Sequence, residues 1–196
     1  MKSLVLASTS PYRKALLAKL ALPFTTAKPN VDETPLPNES PGELVERLAI
    51  AKARAIKSEF KSSLIIGSDQ VAVFNGEILG KPHTKENAHA QLTAFSGNKV
   101  TFLTSLCVYD TETNEHQSII EPFIVHFRSL THEEITCYID KEQPLDCAGS
   151  FKSEGLGICL FEKLEGNDPN ALIGLPLIQL TQLLKTMKLN VLDGHT

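Results

Sequence analysis

With 196 residues and 42% hydrophobic content, the chain is long enough to bury a substantial core as one globular domain over residues 1–196. Its net charge of −4 excludes a global basic field that would recruit a nucleic acid polymer, so any basic site must be local. The sequence contains no membrane-spanning run or signal peptide, and its four scattered cysteines argue against a zinc site or disulfide framework and favour a cytoplasmic protein.

The first predicted elements are a strand over residues 3–7 and a helix that begins at Pro11. Because Ser10 is suited to cap the helix, a strand, a polar turn and a helix N-terminus follow in immediate succession. Free backbone N–H groups at such a terminus attract anions, and Arg13 lies in the first turn. A cation there opposes the helix dipole, which favours a ligand-binding role, although an ordinary capped helix has the same pattern.

A second strand over residues 24–27 leads into a proline-rich polar loop that carries the adjacent acids Asp32 and Glu33. Adjacent carboxylates can bind a hard cation through oxygen, but solvated loop charge is the more common explanation. Ser40 and Glu43 form a capping box, which predicts a helix from there to about residue 60.

The central feature of the sequence is the apolar run over residues 64–73, which is interrupted by Gly67, Ser68, Asp69 and Gln70. Continuous apolar runs are typical of strands buried on both faces, and polar groups inside them need partners. Such local violations tend to fall at working sites, and in parallel sheets ligands bind at the carboxyl ends of strands. We therefore predict that Asp69 carries chemistry, with a strand and a simple polar turn as the plainer alternative.

A hairpin with a type I′ turn is predicted at Asn75 and Gly76, followed by a short returning strand over residues 77–79. The return brings the chain to Lys81, which lies between a glycine and a proline on a tight turn. If the returning strand pairs with the Asp69 strand, Lys81 comes close to the site.

The remaining elements follow from capping residues, β-branched runs and glycine clusters. We predict helices over residues 84–95 and 131–140, strands over residues 100–109, 119–128 and 157–161, a helix start at residue 168, and a C-terminal helix from residue 174 to 187. Between them, glycines bracket Phe151, Lys152 and Glu154, which predicts a loop where the backbone approaches something closely.

Five motifs in this order resemble the Maf family of nucleotide pyrophosphatases, specifically the branch that acts on 7-methyl-GTP. They occupy residues 6–13, 31–34, 67–70, 80–82 and 148–155. The resemblance implies an α/β fold like that of inosine triphosphatase, with an elongated mixed sheet, flanking helices and two lobes around a central cleft. It also implies hydrolysis between the α- and β-phosphates, and a divalent cation such as Mg²⁺, Mn²⁺ or Co²⁺ as cofactor.

The resemblance also implies roles for individual residues. Asp69 matches the catalytic acid/base and, with Glu33, an acid near the metal; whether Asp69 acts mainly as base or as metal ligand stays open. The phosphate-facing positions are Ser8, Arg13, Lys52 and Lys81, and the positions that set base preference are Tyr12, Gln70 and Glu154. The branch often has tryptophan at the position of Tyr12, so the aromatic face is kept but is smaller here.

These base-preference residues have a physical interpretation. N7-methylation makes guanine cationic, and an aromatic face such as Tyr12 attracts a cation. The carboxylate of Glu154 can accept from both N1–H and the 2-amino group, while Gln70 can donate to O6 or hold Glu154. The alternatives are a pyrophosphatase for another base such as dTTP or UTP, or a non-catalytic nucleotide-binding regulator of cell division. Family members are often dimeric, which adds a homodimer to the expected partners besides the small nucleotide.

Overall fold

The computed structural model describes residues 2–193, which form one mixed sheet with helices on both sides. The strands are β1 Ser3–Ala7, β2 Phe24–Ala27, β3 Ser63–Phe74, β4 Glu77–Leu79, β5 Lys99–Asp110, β6 His116–Phe127 and β7 Phe161–Gly166. The α-helices are α1 Pro11–Ala18, α2 Pro41–Ala55, α3 Lys85–Phe95, α4 His132–Glu142, α5 Pro169–Ile173 and α6 Leu177–Thr186. The predicted α/β class with a mixed sheet and flanking helices is confirmed. In the described part of the chain, none of the helices is both long and apolar enough to cross a membrane.

The strands run in the order β2-β1-β3-β5-β6-β7, and β4 pairs with β3 on the same edge as β1, further along the strand. β1, β2 and β3 are mutually parallel, whereas the remaining pairs are antiparallel. The hairpin between β3 and β4 turns at Asn75 and Gly76, whose φ angles of 52° and 85° are the positive values that a type I′ turn requires. This confirms the predicted hairpin.

The long strand β3 changes partners along one edge. On this edge, residues 63–66 pair with β1 and residues 72–74 pair with β4. Among the described strands, none pairs with residues 67–71 on the same edge. Its other edge stays paired with β5 throughout, including the pair Asp69↔Ser105. Asp69 therefore lies within a continuous strand and not at a strand end as predicted, and the gap in pairing opens a cleft beside it.

The gap divides the molecule into two lobes. The proximal lobe contains β1 and β2, and helices cover both faces of its sheet. On one face α1 and α6 contribute Leu16, Leu17, Leu180 and Leu184 to a core with Leu6 and Leu106. On the other face Ala49, Ala53 and Ile56 pack against Ile65 and Tyr109.

The distal lobe contains β4 and β7, and its core lies between one sheet face and the helices α3 and α4. Aromatic side chains dominate it, and they include Phe95, Phe102, Phe123, Phe127 and Phe151. Several of these rings meet edge to face, with centroids 4.9–5.6 Å apart, which suits the aromatic quadrupole. The two lobes meet at the cleft, as the resemblance implied.

The predicted helix caps are present. The Ser10 side chain accepts from a backbone N–H at the start of α1, and complete capping boxes open α2 at Ser40 and α4 at Thr131. Each cap satisfies N–H groups that have no partner within the helix, which fixes where the helix begins.

Two predicted boundaries are wrong. Helix α2 ends at Ala55 and not near residue 60, and the residues after it form separate hydrogen-bonded turns. The strand predicted over residues 157–161 begins only at Phe161, because Leu156–Leu160 form a 3₁₀ turn. The reason is a tight reversal: the Gly157 N–H donates to the Lys152 carbonyl oxygen at 3.1 Å, and a Cβ on Gly157 would lie 2.3 Å from that oxygen.

Candidate active site

A cleft of about 580 Å³ opens at the partner change of β3. Every candidate site residue lines it: Ser8, Tyr12, Arg13, Glu33, Lys52, Asp69, Gln70, Lys81 and Glu154. The proximal lobe supplies three of the phosphate-facing candidates: Ser8 from the turn after β1, Arg13 from α1 and Lys52 from α2. The distal lobe supplies Lys81 and Glu154 from loops. The fold thus gathers residues that are as many as 146 positions apart in sequence, from Ser8 to Glu154.

The floor of the cleft holds a buried ion pair. Lys52 Nζ lies 2.6 Å from Asp69 Oδ1 and 2.7 Å from Glu33 Oε1, and both Lys52 and Asp69 are only 7% exposed. A buried charge is tolerated when it is paired, and here one ammonium serves two carboxylates.

Gly67 explains why α2 comes so close to β3. A Cβ at this position would lie 2.1 Å from the Ala49 carbonyl oxygen and 2.9 Å from the Ala53 backbone nitrogen. Only a glycine allows this contact between helix and strand. The close approach delivers Lys52, which is on α2, to Asp69.

Burial raises the pKa of Asp69 above its ordinary value, because desolvation disfavours the carboxylate. The positive charges of Lys52 and Arg13 oppose this rise, and the negative charge of Glu33 adds to it. A carboxylate with a raised pKa accepts a proton more readily than an ordinary aspartate does.

Arg13 is fixed by two contacts. Its backbone N–H donates to Ser10 Oγ at 3.4 Å, and its Nε donates to the Gly174 carbonyl oxygen at 2.9 Å. Within residues 2–193, its terminal nitrogens donate no hydrogen bond, and they face the cleft that the residue lines. Burial lowers the pKa of Arg13, yet a guanidinium stays charged at any physiological pH.

The C-terminal end of α5 forms a second support for the cleft, which sequence reasoning missed. The Gly174 carbonyl oxygen also accepts from Ser68 Oγ at 2.9 Å, and the Ala171 carbonyl accepts from the buried Thr104 Oγ1 at 2.9 Å. Carbonyls near the end of a helix have fewer backbone partners, so the Ala171 carbonyl, which accepts from the Gly174 N–H at 3.0 Å, also accepts from a site side chain. The only sequence signal was the helix start at Asp168.

Asp168 anchors this support. It is fully buried, and its carboxylate accepts from the Asn170 backbone N–H at 2.9 Å and from the Ile178 backbone N–H at 2.7 Å. One side chain therefore caps α5 and ties it to the start of α6. The carbonyls of α5 are held in place by this link.

The expected donor role of Gln70 does not fit the structure. Its Nε2 donates to Thr104 Oγ1 at 2.8 Å, to the Ala171 carbonyl at 2.8 Å and to the Leu172 carbonyl at 3.1 Å. Both Nε2 hydrogens are therefore used inside the protein. Gln70 has no N–H left for O6 of a base or for Glu154.

The mouth of the cleft is open to solvent. Tyr12 is 39% exposed, Lys81 and Glu154 are exposed, and Ser153 Oγ donates to the Glu154 carboxylate at 3.4 Å. Lys28 also lines the cleft and adds a cation that sequence reasoning did not single out. A lysine in a polar loop carries no signal of its own in the sequence.

A metal centre made of protein ligands alone is not present among residues 2–193, where no group of three or more His, Cys, Asp or Glu side chains converges. Asp69 and Glu33 bring two carboxylates to one point, because both contact Lys52 Nζ. This fits Mg²⁺, which is usually held by one or two carboxylates together with substrate phosphates.

Comparison with known proteins gives consistent matches. The profile of a family described as Maf-like protein matches residues 3–187. The 7-methyl-GTP pyrophosphatase of Colwellia psychrerythraea (strain 34H) is 64% identical over 192 residues, which cover 98% of this chain and 96% of that protein. The 7-methyl-GTP pyrophosphatase of Pseudoalteromonas translucida is 61% identical over 193 residues, with the same shares covered.

Among solved structures, the Staphylococcus aureus Ham1 protein is similar with a TM-score of 0.48 and 17% identity, over 80% of this chain and 90% of that chain.

Proposed function

The chain belongs to the Maf-like protein family, and on this premise we propose that it is a hydrolase of acid anhydrides, a nucleoside triphosphate pyrophosphatase that cleaves 7-methyl-GTP. Water cleaves the anhydride bond between the α- and β-phosphates, and the products are 7-methyl-GMP and diphosphate. The observation that carries the proposal is the buried Asp69 carboxylate beside Lys52, in a cleft that Arg13 and Lys81 also line. A base surrounded by cations suits hydrolysis of a polyanion.

The phosphate groups need positive partners. Arg13 offers a planar fork for two phosphate oxygens, while Lys52 and Lys81 offer point charges from opposite sides of the cleft. The Ser8 hydroxyl accepts from the Ser10 backbone N–H at 3.1 Å, so its own hydrogen is free to be donated to phosphate. These groups act before and during the reaction by binding and orienting the substrate.

The attacking water needs a base. Asp69 orients the water and takes its proton, a contribution typically worth about 10²–10⁴-fold in rate. Its raised pKa strengthens this role, while the positive charge of Lys52 favours the ionised form of the carboxylate. Among the described residues, no other carboxylate that lines the cleft is as buried as that of Asp69.

We propose that Asp69 and Glu33 together hold a divalent cation such as Mg²⁺, Mn²⁺ or Co²⁺. The support is their convergence on Lys52 Nζ, which leaves one oxygen of each carboxylate without a hydrogen bond inside the described chain. When bound, the ion neutralises phosphate charge and polarises the attacked phosphorus.

The methylated base lies at the mouth of the cleft, where Tyr12 and Glu154 are exposed. The cationic ring stacks on Tyr12, an attraction of about 0.5–2 kcal/mol depending on desolvation. Glu154 accepts from the Watson–Crick edge of the base. Base choice therefore depends on one aromatic face and on hydrogen-bond acceptors.

The test is a nucleotide panel with diphosphate detection in the presence of Mg²⁺, Mn²⁺ or Co²⁺. We expect the highest kcat/KM for 7-methyl-GTP, with dTTP, UTP and GTP well below it. A preference for dTTP or UTP would replace the base assignment and keep the reaction. Tight nucleotide binding without diphosphate release under any of the three metals would favour the non-catalytic regulator.

We also propose that the protein works in the cytoplasm as a homodimer on free nucleotides, without a nucleic acid polymer. The four cysteines, none of them disulfide-bonded in the described residues, support a reducing compartment. The family resemblance supports the dimer. A measured mass of one chain across a wide concentration range would contradict it.

A further inference from the structure

The side-chain amide of Gln70 has a fixed orientation. Its Nε2 is surrounded by three oxygens: Thr104 Oγ1 and the backbone carbonyls of Ala171 and Leu172. A carbonyl oxygen only accepts hydrogen bonds, so reversing the amide would bring Oε1 against two acceptors. That arrangement would place Oε1 beside two carbonyl oxygens and remove the hydrogen bond that Gln70 donates to the Leu172 carbonyl, which is unfavourable.

Thr104 strengthens this orientation. Its hydroxyl is fully buried and donates its single hydrogen to the Ala171 carbonyl at 2.9 Å. With that hydrogen used, the hydroxyl can only accept from Gln70. In this arrangement the hydroxyl favours the observed amide orientation and adds a third acceptor for Nε2.

The orientation leaves the Gln70 carbonyl oxygen for the cleft. Within residues 2–193, Oε1 accepts no hydrogen bond. The atom is not fully buried, and Gln70 lines the cleft, so Oε1 is accessible from the cleft. Glu154, which also lines the cleft, carries a second acceptor group. A nucleobase in the cleft would therefore find two acceptor groups, on Gln70 and Glu154, and no N–H donor from Gln70.

We propose that Gln70 reads the base as an acceptor, through Oε1, and that Thr104 is the positioning residue that fixes it. The inference rests on the proposed function for the identity of the nucleotide. Two acceptors match two donors, which are N1–H and the 2-amino group of guanine, and methylation at N7 makes both stronger donors because the ring becomes cationic. One donor goes to Gln70 and the other to Glu154.

The test couples a protein change to a substrate change. Gln70→Met removes the acceptor and keeps an unbranched side chain of similar length. The substrates are 7-methyl-GTP, 7-methyl-ITP, which lacks the 2-amino group, and 1,7-dimethyl-GTP, which lacks N1–H. In the wild type each missing donor is expected to lower kcat/KM about tenfold. In the Gln70→Met variant, one of these two losses should vanish, because its acceptor is already gone.

If both losses keep their full size in the Gln70→Met variant, the acceptor role is wrong. A second variant covers the case in which Gln70→Met does not fold. Thr104→Val removes the hydroxyl at nearly constant volume, and we expect KM for 7-methyl-GTP to rise several-fold with little change in kcat. Thr104→Ser, which keeps the hydroxyl, should restore KM, and Thr101→Val on the same strand is the control. Equal KM for Thr104→Val and wild type overturns the positioning role.

The same coupling can be measured by equilibrium binding of the three nucleotides, without turnover. If the wild type binds 7-methyl-GTP and does not cleave it, the proposed function fails while the acceptor role is still tested. If the wild type shows no preference for either donor in binding, the acceptor role fails whatever the activity.

Discussion

The two faces of β3 beside the cleft are built from different chemistry. Toward α2, Asp69 meets the charge of Lys52, and a glycine lets the helix come within contact distance of the strand. Toward α5, Ser68 and Gln70 meet neutral backbone carbonyls. Adjacent residues of a strand point to opposite faces, so one strand can serve both environments. The difference teaches that a charged pair positions Asp69, the proposed general base, on one face of the strand, whereas neutral hydrogen bonds position Gln70, which we propose contacts the nucleobase, on the other.

The largest effect is expected on the charged face. Asp69→Asn keeps the shape of the side chain and removes the base, so diphosphate release from 7-methyl-GTP should fall about 10²–10⁴-fold while nucleotide binding is retained. Steady-state kinetics and a binding titration measure the two quantities. Asp146→Asn, an exposed carboxylate lining the same cleft, is the control and should stay near wild type. Full activity of Asp69→Asn would remove Asp69 from the mechanism.

The recognition side should show a smaller and more selective effect. Glu154→Ala removes a charged acceptor, and hydrogen bonds to charged groups are worth about 1.5–3 kcal/mol, so kcat/KM for 7-methyl-GTP should fall about 10–100-fold. UTP turnover should change much less. Glu162→Ala, another exposed glutamate, is the control. An equal loss on both substrates would mean that Glu154 does not distinguish bases.

The contact between α2 and β3 can be tested by overpacking. Gly67→Ala places a Cβ 2.1 Å from the Ala49 carbonyl oxygen, so the helix must shift, and the free energy of unfolding should drop by about 1–3 kcal/mol. Urea unfolding measures this loss. Gly42→Ala on the same helix meets only Ile120 Cδ1 at 3.5 Å and should be tolerated. Equal stability of the two variants would contradict the close contact.

The pH dependence gives the finest test of the charged face. The positive charge of Lys52 lowers the pKa of Asp69 against the effect of burial, so Lys52→Met should let that pKa rise further. Because the base must be ionised, the acid limb of the kcat/KM profile, which reports the free enzyme, should move to higher pH. Arg54→Met removes an exposed cation from the same helix and should leave the limb in place. A limb that stays fixed or moves to lower pH in Lys52→Met would show that the pair does not control the base.

The sequence by itself determined the local elements of this protein. The cap at Ser10, the capping boxes at Ser40 and Thr131 and the hairpin turn at Asn75 were all predicted, because each depends on side chains within a few residues of one another. The nine candidate site residues that line the cleft were also predicted, from the motifs and the family resemblance that they support. Their meeting in one cleft is a finding of the structure, and their roles stay predictions.

Only the tertiary structure decided how those residues are supported. The carbonyls that hold Ser68 and Gln70 come from α5, more than 100 residues later, and Gly174 holds Arg13 across 161 positions. The physical reason is that these acceptors are backbone carbonyls. Every residue carries one, so the residue type does not indicate which carbonyls support the site. The direction of the Gln70 amide follows from these contacts, and it leaves no N–H for the donor role that side-chain chemistry alone had suggested.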